Sequence, residues 1–255
     1  MYFSPLFFSC PQSHACPSAM CSLRNNAGAA KFGNFRNYYQ FNKPEARLER
    51  LPNDLSSFCM LNEQRQIVAL DIGCNSGALT TQLYRMLTAS GSGYVKVLAI
   101  DIDESLIQCA EKSNPFPDSI EYMCLDIMAD TSGQAIADYL DRYSHKTFDI
   151  TFCFSVTMWI HLNHGDEGLK SFLVSVCANT RYLLLEAQLW KCYRSASRRM
   201  RRASCDEFQH LDTLRMNINV EENIHSFLLG RCCMELVQCF GQTQWDRKVT
   251  LYRKL

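Results

Sequence analysis

Ile67-Val-Ala-Leu-Asp-Ile-Gly-Cys-Asn-Ser-Gly77 is an apolar, β-branched run that stops at a small-residue turn, and Ala78-Leu-Thr-Thr-Gln-Leu-Tyr-Arg-Met-Leu87 follows at once. The order predicts a buried parallel strand, a tight turn and a helix, the opening half of a nucleotide-binding βαβ unit. Gly73 and Gly77 let the backbone turn and come close to a ligand, where a Cβ would stand in the way. Asn75 occupies the place of the second glycine of G-x-G-x-x-G, the one that allows a pyrophosphate to approach. A cofactor without phosphates suits such a turn, S-adenosylmethionine foremost.

Outward from this stretch the alternation continues. Val95 to Ile102 reads as a second strand ending in Asp101, with Asp103 capping a helix whose Leu106, Ile107 and Ala110 share a face. A carboxylate at the end of the second strand is where this plan binds ribose hydroxyls. Ile120 to Ile127 is expected as a third strand, with Asp126 placed to accept from an adenine amino group, and Ser132 opens a helix. Phe148 to Ser155 and Tyr182 to Glu186 read as the fourth and fifth strands. Met234 to Phe240 and Val249 to Arg253 read as a closing hairpin. The sum predicts an α/β, doubly wound, Rossmann-like sheet of seven strands, mostly parallel with an antiparallel edge strand, and a ligand crevice above the carboxyl ends of strands one to three.

Three segments stand apart in composition. Phe32 to Pro52 interleaves five aromatics with Arg36, Lys43, Arg47 and Arg50, which suits either a lid that stacks on bases or a segment packed on the sheet edge. Thr157-Met-Trp-Ile-His-Leu-Asn-His-Gly-Asp-Glu-Gly168 follows the fourth strand. There Asn163 to Asp166 reads as a turn, and Trp159, His161 and Asn163 are expected to line the mouth of the site. Trp190 to Arg202 carries six of the chain's 26 basic residues and no acid, with Lys191, Arg194, Arg198 and Arg201 at helical spacing. Such a stripe suits a phosphate-bearing substrate, though a solvated helix face has the same spacing.

The 26 acidic residues cancel the 26 basic ones, so only local clusters speak for a polyanion. The 14 cysteines lack zinc-type pairing, which predicts reduced thiols in a cytoplasmic protein and no metal. No apolar run has transmembrane length, so no membrane partner is expected. Residues 1–31, with Cys10, His14, Cys16 and Cys21, are expected as a loose tail before one domain over 32–255. They lack the features of a secretory signal.

Leu70-Asp-Ile-Gly-Cys-Asn-Ser-Gly77, Trp159-Ile-His-Leu-Asn163, Lys191-Cys-Tyr-Arg194, Phe240-Gly-Gln-Thr-Gln-Trp-Asp-Arg247 and Phe32-Gly-Asn-Phe35 together resemble the bicoid-interacting family of RNA 5′-end methyltransferases. The likeness runs from about Phe32 to the C-terminus, and the wording around Lys191 and Arg247 is similar to the branch acting on RNA 5′-monophosphates. It implies the class I methyltransferase fold, S-adenosylmethionine as donor and a small RNA with a 5′-monophosphate, such as the histidine transfer RNA or a microRNA precursor, as acceptor. It also implies that Arg47, Asn75, Asp101, Asp126, Ile127 and Phe154 contact the cofactor, joined from the turn argument by Gly73 and Gly77. Tyr39, Trp159, Asn163, Lys191 and Arg198 then face the RNA, with His161 and Arg194 orienting the terminal phosphate. A monomer is expected.

The family's Glu-Pro-Gln-Pro-Trp is here Glu186-Ala-Gln-Leu-Trp190, and losing both prolines should loosen that loop. Enzymes acting on the γ-phosphate of triphosphate ends, small-molecule methyltransferases, and a catalytically weak RNA-end binding protein remain the alternatives.

Overall fold

The computed structural model describes residues 29–61, 66–89, 91 and 94–255. The loose tail expected before Phe32, with its cysteines and His14, lies outside the described residues apart from positions 29–31. Three short helices, α1 (Tyr38–Phe41), α2 (Pro44–Leu48) and α3 (Leu55–Phe58), lead into β1 (Ile67–Ile72) and α4 (Ala78–Leu87). Next come β2 (Val95–Asp101), α5 (Glu104–Lys112), β3 (Ile120–Cys124), α6 (Ser132–Arg142), β4 (Phe148–Phe154), α7 (Thr157–Ala178) and β5 (Thr180–Glu186). The chain closes with α8 (Trp190–Arg202), α9 (Val220–Arg231), β6 (Met234–Gln242) and β7 (Lys248–Lys254).

The seven strands lie in the order β3-β2-β1-β4-β5-β7-β6. β1 to β5 are parallel, whereas β7 enters beside β5 and runs antiparallel to it and to β6. Every residue of β1 is buried, as expected of a strand covered on both faces. Its residues divide by parity: Val68, Leu70 and Ile72 join the core under α6 and α7, while Ile67 and Ala69 join the core under α3 and α4. With both faces filled, the free ground lies at the strand ends. No helix among the described residues is long and apolar enough to cross a membrane.

The structure departs from the sequence reading in three places. β3 stops at Cys124, because Asp126 folds the chain into a turn in which its carboxylate accepts from Met128 N at 2.9 Å and its carbonyl from Ala129 N at 3.0 Å. The polar stretch from Thr157 is already helical, and the expected turn survives as a kink in α7 at Gly165 (φ 70°, ψ −173°). Helix α9 was not anticipated, although Val220, Ile224 and Leu228 recur every four residues and are all buried.

The kink gives a test. At Gly165 φ excludes an easy side chain, and a Cβ would meet the His210 ring at 3.2 Å. Gly165→Ala is expected to cost about 1–3 kcal/mol, read as a lower midpoint in urea denaturation; an unchanged midpoint would mean that the kink relaxes freely.

Candidate functional site

The turn after β1 is built on left-handed backbone at Gly73 (φ 75°) and Asn75 (φ 53°). A Cβ on Gly73 would come within 2.6 Å of Val156 Cγ2, so glycine there lets β1 and the end of β4 close on each other. Asn75 N donates to Asp101 Oδ2 at 2.9 Å, and Asp103 N donates to Asp101 Oδ1 at 3.0 Å. Burial raises the Asp101 pKa, and these two amides work against the rise. A third amide, that of Ile102, also lowers it, and the carboxylate keeps acceptor capacity beyond these. Beneath it Asp71, buried and hydrogen-bonded by Thr80 Oγ1 at 2.6 Å, has its pKa raised by burial to about 6.

A cleft opens above these ends. Gly73, Asn75, Asp101, Asp126, Ile127, Phe154, Ser155 and Trp159 line it, together with Arg47, Tyr39 and His164. Ile102, Leu125 and Ile127 supply an apolar wall with the Asp126 carboxylate beside it. The residues fit a nucleoside without phosphates: an acid for a diol, a flat apolar slot for a base, and a side chain at Asn75 where a pyrophosphate would need bare backbone. Those are the demands of the S-adenosyl group. Among the described residues no cluster of His, Cys, Asp and Glu could hold a metal ion.

Residues 31–42 cross the mouth of the cleft as a strap. Asn34 Nδ2 donates to Asp103 Oδ2 at 2.7 Å, Asn75 Nδ2 to Phe35 O at 3.1 Å, and Tyr39 Oη to Cys74 O at 3.2 Å. Gly33 lies against the Trp159 indole so closely that no Cβ fits between them. Phe35 meets the edge of Trp159 at 5.9 Å, and the Arg199 guanidinium lies 5.5 Å from the Phe35 ring. The strap therefore joins the cleft to the arginine-rich helix α8.

A charged cluster forms the floor. The Glu186 carboxylate, wholly buried, accepts from Ser155 Oγ at 2.7 Å and from Arg247 Nη1 at 3.0 Å, and faces Arg47 Nε at 3.6 Å. Arg47 also donates to Tyr38 Oη and, at 2.9 Å, to Ser155 Oγ. Burial opposes the charge on Arg247, but Glu186, Cys192 and Tyr38 together outweigh it and raise the pKa. Two residues on, Gln188 donates to Ser155 O at 2.5 Å and accepts from Met158 N at 3.2 Å and Thr157 Oγ1 at 3.3 Å. The loop that lacks two prolines is thus held by a buried amide.

The cleft gathers Arg47, Gly73, Asn75, Asp101, Asp126, Ile127, Phe154, Tyr39 and Trp159, but not every residue expected there. His161 is a correction: it is fully buried, with Nε2 at 2.7 Å from Asp166 Oδ1 and Nδ1 at 3.0 Å from Tyr193 Oη. A carboxylate on Nε2 keeps the proton there, so Nδ1 accepts from the tyrosine, and burial lowers the ring's pKa against the pull of Asp166. Both nitrogens are engaged, and His161 braces α7 against α8 instead of meeting a phosphate. Asn163 turns its amide to Lys31 O and Trp159 O, both at 2.9 Å, and so holds the strap. Gly77 packs on Tyr122 outside the cleft lining.

Lys191 pairs with Asp246 at 2.5 Å, while Arg194 and Arg198 stand exposed on α8, outside the cleft lining. The sequence reading had not placed His164 in the cleft, which it lines. It had also missed Ser155, Glu186 and Arg247 as a unit, for which no local pattern gave a signal.

Residues 148–254 match the family model for bicoid-interacting protein 3, and residues 70–170 match a methyltransferase domain. The pre-miRNA 5′-monophosphate methyltransferase of Danio rerio is 42% identical to this chain, over 90% of it and 94% of the relative. The RNA 5′-monophosphate methyltransferase of Bos taurus is 43% identical, over 89% of this chain and 81% of the relative. Among solved structures, the N-methyltransferase NodS from Bradyrhizobium japonicum, in complex with S-adenosyl-L-homocysteine, superposes with a TM-score of 0.54 at 15% identity. It covers 85% of this chain and 90% of its own, a likeness of fold.

Two measurements test the site's frame. A carboxyl whose folded pKa is raised holds its proton more tightly when folded, so the stability it lends is full below its unfolded pKa and is lost as pH rises through about 6. Asp71→Asn removes this titration, and its stability relative to the parent should improve by roughly 3 kcal/mol between about pH 4 and pH 7; a pH-independent difference in denaturation midpoints would refute the assignment. Leu189 has φ −75° and ψ 158°, close to the value proline imposes. Leu189→Pro should raise stability by about 0.4–1 kcal/mol, and a lower melting temperature would show instead that the amide of residue 189 is needed.

Proposed function

The chain belongs to the bicoid-interacting protein 3 family, and on that premise we propose that it transfers a methyl group from S-adenosylmethionine to the 5′-monophosphate of an RNA. The observation that carries the reading is a single cleft with two chemically different ends. At one end lie Asp101, Asn75 and the apolar slot, fitted to a nucleoside. At the other the strap leads through Trp159, Phe35 and Arg199 to α8, whose Arg194, Arg198 and Arg202 are exposed. The relatives' names support the acceptor.

When bound, S-adenosylmethionine supplies an electrophilic methyl on a sulfonium. The residues of the chain contribute placement and charge. A phosphate monoester with a second pKa of about 6 is largely a dianion at pH 7, so its oxygen needs no general base. That removes any need for His161 to move a proton and agrees with its buried, neutral state. Placement falls to groups that face the cleft: Tyr39, Trp159 and His164 around the terminal nucleotide, and Arg47 behind Ser155. Holding the attacking oxygen at near-attack distance is the main source of rate in such a site. Exposed arginines one turn apart on α8 suit the downstream phosphates.

The reading extends to small RNAs bearing a 5′-monophosphate in the cytoplasm, microRNA precursors and transfer RNA among them. The name of the Danio rerio relative supports the first, and the described cysteines, free of disulfides, suit a reducing compartment.

The deciding experiment offers labelled S-adenosylmethionine and one small RNA in three forms: 5′-monophosphate, 5′-hydroxyl and 5′-triphosphate. Label should enter the monophosphate form alone. Preference for the triphosphate would reassign the chain to γ-phosphate chemistry, and no transfer by protein that binds both ligands would leave an RNA-end binding protein.

A further inference from the structure

At the floor of the cleft two guanidiniums share one carboxylate. Glu186 faces Arg47 at 3.6 Å and Arg247 at 3.0 Å, all three from distant parts of the chain. One positive charge is left in excess in a site that is nearly dry: Arg47 and Glu186 side chains are at most 1% exposed and Arg247 is 14% exposed. Of the nearby acids, Glu221 accepts from Lys248 N at 3.1 Å and Asp246 pairs with Lys191 at 2.5 Å, whereas Asp71 has only the neutral Thr80 hydroxyl, at 2.6 Å, and its carboxylate also acts on Arg47.

The geometry also shows where the excess charge can be met. Arg47 lies beside the Tyr38 and Trp245 rings, at 5.2 and 5.5 Å from their centres, and lines the cleft together with Ser155. Arg247 does not line it; its Nη2 turns to Cys192 Sγ at 3.6 Å. Arg47 Nε, Arg247 Nε and Glu186 Oε2 are buried without a hydrogen-bond partner, Arg47 Nε and Glu186 Oε2 facing each other at 3.6 Å. A buried cation lacking a counter-charge is unfavourable, and an incoming anion relieves it.

We infer that Arg247 is a positioning residue that sets the charge of this floor: by engaging Glu186 it leaves Arg47 with charge to offer an oxyanion entering the cleft. Without Arg247, Glu186 would neutralise Arg47 and the floor would be indifferent to anions. The inference rests on the methyltransferase reading for the source of the oxyanion, either the carboxylate of the cofactor's amino-acid part or the RNA terminal phosphate.

Charge arithmetic makes the test sharp, because a residue that merely supports the fold predicts different signs. Calorimetric titration of the full chain would compare S-adenosylhomocysteine with 5′-methylthioadenosine, which lacks the carboxylate, and a short 5′-phosphorylated RNA with its 5′-hydroxyl form. Glu186→Gln adds a net charge and should bind the oxyanion-bearing member of one pair about tenfold more tightly. Arg247→Met should bind it about tenfold more weakly. The double variant restores the parent's net charge and should return to within about threefold of it. Binding of the member without that oxyanion should stay level throughout, and the pair that responds identifies the oxyanion.

A Glu186→Gln variant that binds no more tightly, or a double variant as weak as Arg247→Met, overturns the inference. Should Arg247→Met fail to fold, as judged by its melting curve, the near-isosteric Glu186→Gln decides alone. A parent protein that binds neither S-adenosylhomocysteine nor the 5′-phosphorylated RNA removes the methyltransferase reading itself, a failure distinct from any pattern among the variants.

Discussion

Four of the five parallel strands are buried almost end to end on both faces, which leaves this chain the strand ends on which to build chemistry. The apolar runs of β1, β2, β4 and β5 are continuous because helices cover them above and below. Cleft-lining residues therefore appear just where each run stops: Gly73 and Asn75 after β1, Asp101 closing β2, Asp126 after β3, Ser155 after β4. Each has a backbone reason to be there, since the chain must turn, and the turn exposes amides and carboxylates that the strand interior could not tolerate.

Strand ends alone make an open shelf. What encloses it comes from both extremes of the described chain. The strap is tied by side-chain amides from Asn34, Asn75 and Asn163, and the β6–β7 turn brings Arg247 to the floor. Glu186 is the knot between them, joining Arg47 of α2, Ser155 just after β4 and Arg247 across separations of 139, 31 and 61 residues. Removing one partner from such a buried set leaves an uncompensated charge, so the enclosure stands or falls together.

The loop after β5 shows how one residue type can substitute for another's physics. Prolines would restrict this loop by limiting the unfolded chain. Here the Gln188 amide restrains it in the folded state, bonded to Ser155, Thr157 and Met158 while only 2% exposed. The result is a loop pinned through hydrogen bonds to the start of α7, the helix that also carries Trp159 into the cleft.

The sequence by itself determined the sheet, its order of elements and the first half of the site, because β1, its glycine turn and Asp101 are written in local pattern and backbone sterics. Local pattern also placed a turn near Gly165 but could not tell a loop from a kinked helix, since both break periodicity at one residue. What only the tertiary structure decided was the fate of polar side chains. His161 looked like a phosphate ligand until Asp166 and Tyr193 were seen to occupy both its nitrogens, and Asn163 until Lys31 O was seen beside it. Arg247 closed a family motif but had no assigned role until Glu186 was seen to meet it. Burial and charge pairing depend on residues far away in the chain, and no local spacing records them.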